Sequence, residues 1–375
     1  MIWRFYDEKI YEYLHNGKVF VIYGPRQVGK TTLIRNFLNT YPGKVFYGIG
    51  EDRILQNTLE PCRASKIVSS FSGYDLIVID EAQKIQNIGT ALKIAVDMMP
   101  SIPIIASGSS SFRLANEIGE PLTGRQRTIL LYPISALELK NHIGSMTIEE
   151  KLEEYLVYGS YPEILTANNI QEKREQLISL RNSYLLKDIL EMENLRNHNK
   201  LFDLLTLIAF QIGREVSLNE LSISLGLAKQ TIERYLDLLE KAFVIKKVRG
   251  FSRNLRKEIT KTARYYFFDN GIRNSVINNF NPLPIRNDTG QLWENYLFIE
   301  RCKKQQYCKI FSNNYFWRTY DKKEVDHVEE RDGKLYGYEF TWGTKKPKKP
   351  KAWLETYKNA EYSVINRDNF LQFIT

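Results

Sequence analysis

Nine consecutive residues carry the strongest chemical signal in this chain. Gly24-Pro25-Arg26-Gln27-Val28-Gly29-Lys30-Thr31-Thr32 fits the spacing Gly-x4-Gly-Lys-[Ser/Thr]. A turn of this kind aims backbone N–H groups at one point. Anions collect there, because those donors lack intrahelical partners and the helix dipole is positive at that end. Gly24 and Gly29 permit the close backbone approach that a phosphate needs. Lys30 is suited to reach terminal phosphates, and Thr31 to offer its hydroxyl to magnesium. A second signal is Asp75-Leu-Ile-Val-Ile-Asp80-Glu81. Asp80 would end a buried strand where open α/β sheets place their ligands, and a carboxylate there can hold the hydration shell of magnesium. Glu81 beside it is suited to polarise an attacking water. An apolar run ending in Asp-Glu can also cap a helix; the phosphate loop upstream favours the metal role.

These residues need a strand, a turn and a helix to position them. Val19–Tyr23 reads as the strand before the loop, and Thr31–Leu38 as the helix after it. Ile102–Gly108 reads as a further strand, followed by Ser109-Ser-Ser111. Ser107 and Ser109 have two readings: sensors of the terminal phosphate or water, or N-caps of a helix starting near Phe112. Arg125 precedes a strand expected over Thr128–Tyr132. It is either an arginine acting on a phosphate, its own or a neighbouring subunit's, or an ordinary surface charge. No Asn-Lys-x-Asp pattern is present, so ATP is expected rather than GTP.

With 375 residues the chain exceeds one ordinary core, and two or three domains are expected. The three cysteines (Cys62, Cys302 and Cys308) have neither metal-ligand spacing nor a disulfide framework, which suits a reducing cytoplasm. The first turns carry Asp7 and Glu8 rather than an apolar signal core, and no apolar run is long enough to cross a bilayer. A soluble, cytoplasmic protein with no membrane partner is expected. The net charge of +9 is concentrated: residues 241–275 hold ten basic side chains against Glu258 and Asp269. Such a cluster suggests a polyanion partner. A second basic run, Lys345 to Lys351, is broken by proline and reads as a solvated loop.

Residues 148–210 are helical and charged in periodicity. Val216–Glu240 then reads as helix, turn and helix, with Gly226 in the turn and Ile232, Leu236 and Leu239 on the second helix's apolar face. Lys229, Gln230 and Arg234 fall on its exposed side. Strands expected over Phe243–Val248 and Tyr265–Asp269 would pair as a wing, with Lys246, Lys247, Arg249 and Arg253 among the cluster beside them. A winged helix here has two readings, a double-stranded DNA contact or a packing and oligomerisation module.

Residues 290–365 hold further acids. Glu294 lies early in a helix over Gly290–Ile299, Asp326 in one strand and Glu339 in the next. Hard cations collect oxygen ligands, so the three are candidates for one divalent metal. His327 follows Asp326 directly and so points to the opposite face, as a structural residue.

Residues from about Val19 to Leu139 resemble the AAA-type ATPase domain of a large bacterial and archaeal group, described among the signal-transduction and archaeal ATPases. The matching segments are Gly24–Thr32, Ile79–Lys84, Gly108–Ser110, Gly124-Arg125 and Tyr132–Ser135, and Gly159–Glu163 resembles a short motif of that group's helical lid. The resemblance implies homo-oligomers switched by ATP. Residues 290–365 resemble the restriction-endonuclease-like domain appended to the same family, whose pattern ends Glu-x-Lys. Thr341 stands at the lysine position. Threonine supplies no positive charge to activate water, which favours an inert scaffold over a nuclease, unless Lys345 or Lys346 substitutes.

The expected architecture is α/β: a P-loop parallel sheet (residues 1–145), a helical lid (146–213), a winged helix (214–280) and an α/β restriction-endonuclease-like domain (281–375). The expected function is magnesium-dependent binding and hydrolysis of ATP, with nucleotide state moving the winged helix. The alternatives are an ATP-gated DNA-binding regulator with little turnover and a metal-dependent nuclease coupled to an ATPase.

Overall fold

The computed structural model describes residues 2–109, 122–183, 198–252, 263–319, 323–343 and 350–375. The chain forms two compact units, Met1–Pro133 with Lys241–Phe243, and Ile134–Glu240 with Val244–Thr375.

In the first unit a short helix, α1 (Ile10–Tyr13), precedes β1 (Val19–Tyr23). Then follow α2 (Lys30–Leu38), β2 (Val45–Ile49), α3 (Arg53–Leu59), α4 (Ala64–Phe71), β3 (Leu76–Asp80), α5 (Ile88–Met98), β4 (Ile104–Gly108) and β5 (Gln126–Leu130). The five strands form a parallel sheet in the order β2-β3-β4-β1-β5. Parallel strands need cover on both faces. Accordingly all five residues of β3 and of β4 are buried. Ile77, Ile79, Ala106, Leu92 and Phe71 share one core cluster. The chain leaves β1 toward β2 on one side and returns to β5 on the other, so the carboxyl ends of β1, β3 and β4 border a crevice.

The second unit opens with helices. Ser135 caps the helix Ala136–Ile143 in a reciprocal capping box with Glu138. The segment Gly159-Ser160 is fixed by Asp269, whose carboxylate accepts from Ser160 N at 2.7 Å. Asp269 also caps the helix Asn270–Val276. The helices Leu218–Leu225 and Lys229–Lys241 flank the turn at Gly226, as the spacing predicts. Ile232, Tyr235, Leu236, Leu238 and Leu239 bury the inner face of the second helix.

The sheet of this unit is built from strands on both sides of residue 280. Strands β6 (Glu215–Val216), β7 (Ile245–Gly250), β8 (Ala263–Phe267), β9 (Asn313–Arg318), β10 (Glu324–Arg331), β11 (Lys334–Phe340) and β12 (Glu361–Ile365) form one seven-stranded sheet. Its order is β12-β11-β10-β9-β7-β8-β6. β7 pairs parallel to β9 through Arg249 with Tyr315 and Gly250 with Phe316. The sheet therefore runs unbroken across the boundary expected near residue 280. The residues on either side share a core, with Val248 and Tyr266 packed beside Phe298 and Phe316.

Candidate nucleotide site and acidic cleft

The nine-residue loop links β1 to α2, as its composition requires. Gly24 has φ 154°, and a Cβ there would lie 2.2 Å from Leu131 O, so no side chain fits. Gly29 caps α2 at φ 94°, in the region that L side chains rarely adopt. Lys30 is 5% exposed, and its ammonium donates to Gly24 O at 2.9 Å and Pro25 O at 2.7 Å. The loop is thus closed on itself around the lysine, with its backbone held by a charge. Arg26 is half-buried, Gln27 is exposed at φ 58°, Val28 is buried and Thr32 is exposed.

Thr31 and Asp80 meet across the crevice. Thr31 Oγ1 donates to Asp80 Oδ2 at 2.7 Å, and Tyr47 OH donates to the same oxygen at 3.0 Å. The Ser107 hydroxyl donates to Asp80 Oδ1. Ser107 is fully buried inside β4 and caps no helix; its hydroxyl orients the acid. Glu81 follows in a left-handed conformation, φ 51°, an uncommon state for a non-glycine residue. Gln83 holds it: the amide donates to Glu81 Oε2 at 2.6 Å and to Ser109 Oγ at 3.0 Å. The helix expected from Phe112 lies outside the described residues.

A hydroxyl and a carboxylate 2.7 Å apart beside a phosphate-type loop are hard oxygen donors suited to magnesium. The donor set fits that ion. Sequence reasoning missed Tyr47, Gln83 and Arg4, whose guanidinium donates to Val28 O in the loop and to Tyr132 O. Gln83 had a visible signal, a polar residue two positions after Glu81; Tyr47 and Arg4 are distant in sequence and had none.

Arg125 falls elsewhere. Its backbone pairs with Val19 at the amino end of β1, and its guanidinium donates to Asp97 at 2.7 Å. The loop lies at the opposite end of β1, roughly 16 Å away at the usual rise per strand residue. Arg125 therefore lies at the end of β1 away from its own chain's loop.

In the second unit Glu294, Asp326 and Glu339 do share a cleft of about 620 Å³. Its centre is a guanidinium. Arg264, 3% exposed, lies 3.3 Å from Glu294, 2.9 Å from Glu324 and 3.7 Å from Asp326. Tyr266 OH donates to Glu294 at 2.6 Å, and Phe340 N donates to Asp326 at 2.9 Å. Among the described residues no group of three acids or other ligands is arranged to hold a metal. A fixed positive charge thus stands among the acids expected to hold a second metal. Burial, then the Asp326 charge, pushes the Glu294 carboxyl up to about 8. Burial likewise raises Asp326 and Glu339, the latter also through its acidic neighbours. Thr341 follows β11, with its hydroxyl donating to Gly343 O at 3.3 Å. Lys345 and Lys346 lie outside the described residues. His327 is fully buried among aromatic rings, and burial lowers its imidazole to about 4, consistent with a structural role.

The expected polyanion surface is reduced. Arg264 and Arg273, two of the ten bases counted there, are buried, and Arg273 is bound at 2.5 Å to Asp288. Lys229, Gln230, Arg234, Lys247 and Arg249 are exposed, and Lys246 is half-buried. Arg253 lies outside the described residues. No described helix is long and apolar enough to cross a membrane.

Three families match parts of this chain. Residues 16–140 match an AAA domain, residues 149–283 a domain of unknown function (DUF8612), and residues 289–373 another domain of unknown function (DUF4143). An uncharacterized protein of Mycobacterium tuberculosis is 27% identical over 333 residues, spanning 87% of this chain and 70% of that protein. An uncharacterized protein of Haemophilus influenzae is 25% identical over 352 residues, 87% of this chain and 83% of its own. One from Methanocaldococcus jannaschii is 23% identical over 375 residues, 93% and 81%. Among solved structures, a signal transduction ATPase with numerous domains and a tetratricopeptide repeat sensor, from Pyrococcus horikoshii, aligns at 16% identity with TM-score 0.30. That alignment covers 81% of this chain but 46% of that one, less than half its length. The AAA match spans the loop, Asp80 and Glu81, and with their geometry it supports an AAA-type P-loop ATPase domain.

Proposed function

We propose that the first unit binds and hydrolyses ATP with magnesium. The observation that carries this reading is the 2.7 Å contact between Thr31 and Asp80 beside a closed phosphate loop. Magnesium, when bound, neutralises phosphate charge. Lys30 supplies a second positive charge at the loop, and the amides around Gly29 bind phosphate oxygens. Thr31 and Asp80 would hold the ion. Glu81, oriented by Gln83, accepts a proton from water and aligns it for attack. Such sites work by positioning and electrostatics rather than by covalent intermediates. Assembly into homo-oligomers, in which Arg125 would face a neighbour's phosphate, belongs to the same proposal.

The test is nucleotide titration with magnesium. Lys30→Ala should weaken ATP about 10- to 100-fold, the effect of removing a charge-assisted contact. Wild-type protein that retains no adenine nucleotide would end this reading.

A second reading concerns duplex DNA. It rests on the exposed Lys229, Gln230 and Arg234 at the start of the helix after the Gly226 turn, with Lys247 and Arg249 exposed on β7. The order helix, short strand, helix, helix, strand, strand over residues 198–267 supports the winged-helix reading.

A further inference from the structure

The proposed nucleotide site does not explain one buried charge beside it. Arg4 is 5% exposed, on the segment that precedes α1. Its Nη1 donates to Val28 O at 2.5 Å and its Nη2 to Tyr132 O at 2.7 Å. The arginine is itself held. Its backbone N–H donates to Asp7 Oδ2 at 2.8 Å, and Asp7 N returns a bond to Arg4 O at 3.0 Å. Tyr6 and Ile10, at most 1% exposed, anchor the same segment in the core.

The consequence follows from peptide geometry. The peptide joining Val28 to Gly29 is planar and trans, so its C=O and its N–H point in opposite directions. Arg4 draws the Val28 carbonyl to one side. The Gly29 N–H is thereby turned to the other. Glycine at φ 94° could otherwise let this peptide rotate at little cost. The second bond ties the loop to the residues after β5, where Leu131 N also donates to Tyr23 O at 2.7 Å. One guanidinium thus joins three pieces of chain around the loop.

We infer that Arg4 is a positioning residue for phosphate binding: it locks the Val28–Gly29 peptide so that the Gly29 amide faces the polyphosphate of a nucleoside di- or triphosphate. The inference rests on the ATP reading above. Because it acts through a backbone amide of the loop, it strengthens ADP and ATP alike.

The experiment titrates ATP and ADP, each with magnesium, into wild type, Arg4→Ala and Arg4→Lys, beside urea unfolding of each. Arg4→Ala should weaken both nucleotides about 10- to 100-fold, the range for losing hydrogen bonds to a charged group. Millimolar guanidinium chloride should restore part of that loss, since the free ion fits the vacated position. Arg4→Lys keeps the charge but not the fork that reaches two carbonyls, and should lie between. A folded Arg4→Ala protein with wild-type affinity overturns the inference. So does a loss that guanidinium leaves untouched while the unfolding midpoint falls in parallel, which marks Arg4 as merely structural. If Arg4→Ala does not fold, Arg4→Lys decides, and wild-type affinity there overturns it. A wild type that binds neither nucleotide overturns the ATP reading itself, a result distinct from all of these.

Discussion

Thr31 and Asp80, 49 positions apart in sequence, meet through a 2.7 Å hydrogen bond from Oγ1 to Oδ2. One opens the helix after the phosphate loop, and the other closes the third strand of the sheet. Removing either should abolish the magnesium dependence of nucleotide affinity while leaving weaker, metal-independent binding through the loop amides. Titration of ATP with and without magnesium on Thr31→Ala checks this; an unchanged magnesium effect would contradict it.

Glu81→Gln should retain ATP and lower turnover by about a hundredfold or more, the usual loss with a general base. Gln83→Ala should lower turnover about tenfold with affinity unchanged, because it frees the Glu81 carboxylate without touching the loop. Steady-state hydrolysis compared with equilibrium binding separates the two effects.

Gly24→Ala places a methyl 2.2 Å from Leu131 O. Backbone has to move, at a cost of about 1–3 kcal/mol of the kind seen on overpacking. Chemical denaturation should show that loss, with nucleotide affinity falling too.

Arg125→Ala should leave nucleotide affinity unchanged, since its ion pair with Asp97 sits at the other end of β1. A drop in hydrolysis that appears only at concentrations where the protein self-associates would place its action on a neighbour.

The acidic cleft predicts a pH dependence. An unfolded glutamate loses its proton near 4.5, whereas Glu294 in the fold keeps it up to about 8. Between those values the folded protein holds more protons than the unfolded chain, so stability falls as pH rises through the window. The denaturation midpoint should drop between about pH 5 and about pH 8, and Glu294→Gln should flatten the slope.

Much of the first unit is legible in sequence because its strands are buried on both faces and read as continuous apolar runs. Val19–Tyr23 is found with its expected bounds, and the strand Leu76–Asp80 ends at Asp80 as its apolar run predicts. The Gly-x4-Gly-Lys spacing likewise places Lys30 and Thr31 at a helix start. Tyr47 lies in a strand of mostly half-buried residues that gives no such run. Arg4 reaches Tyr132 across 128 positions, and no local pattern carries a contact of that separation. Charge counting misleads for a related reason. Arg264 and Arg273 look like surface bases in sequence, yet each faces acids that the fold brings from later in the chain.

The parallel pairing of Arg249–Gly250 with Tyr315–Phe316 constrains how this protein could have been assembled or could be taken apart. A gene fragment ending near residue 280 would leave one side of β7 without its mate, a raw template for sticking to other copies. The last hundred residues and the strands before them complete one sheet.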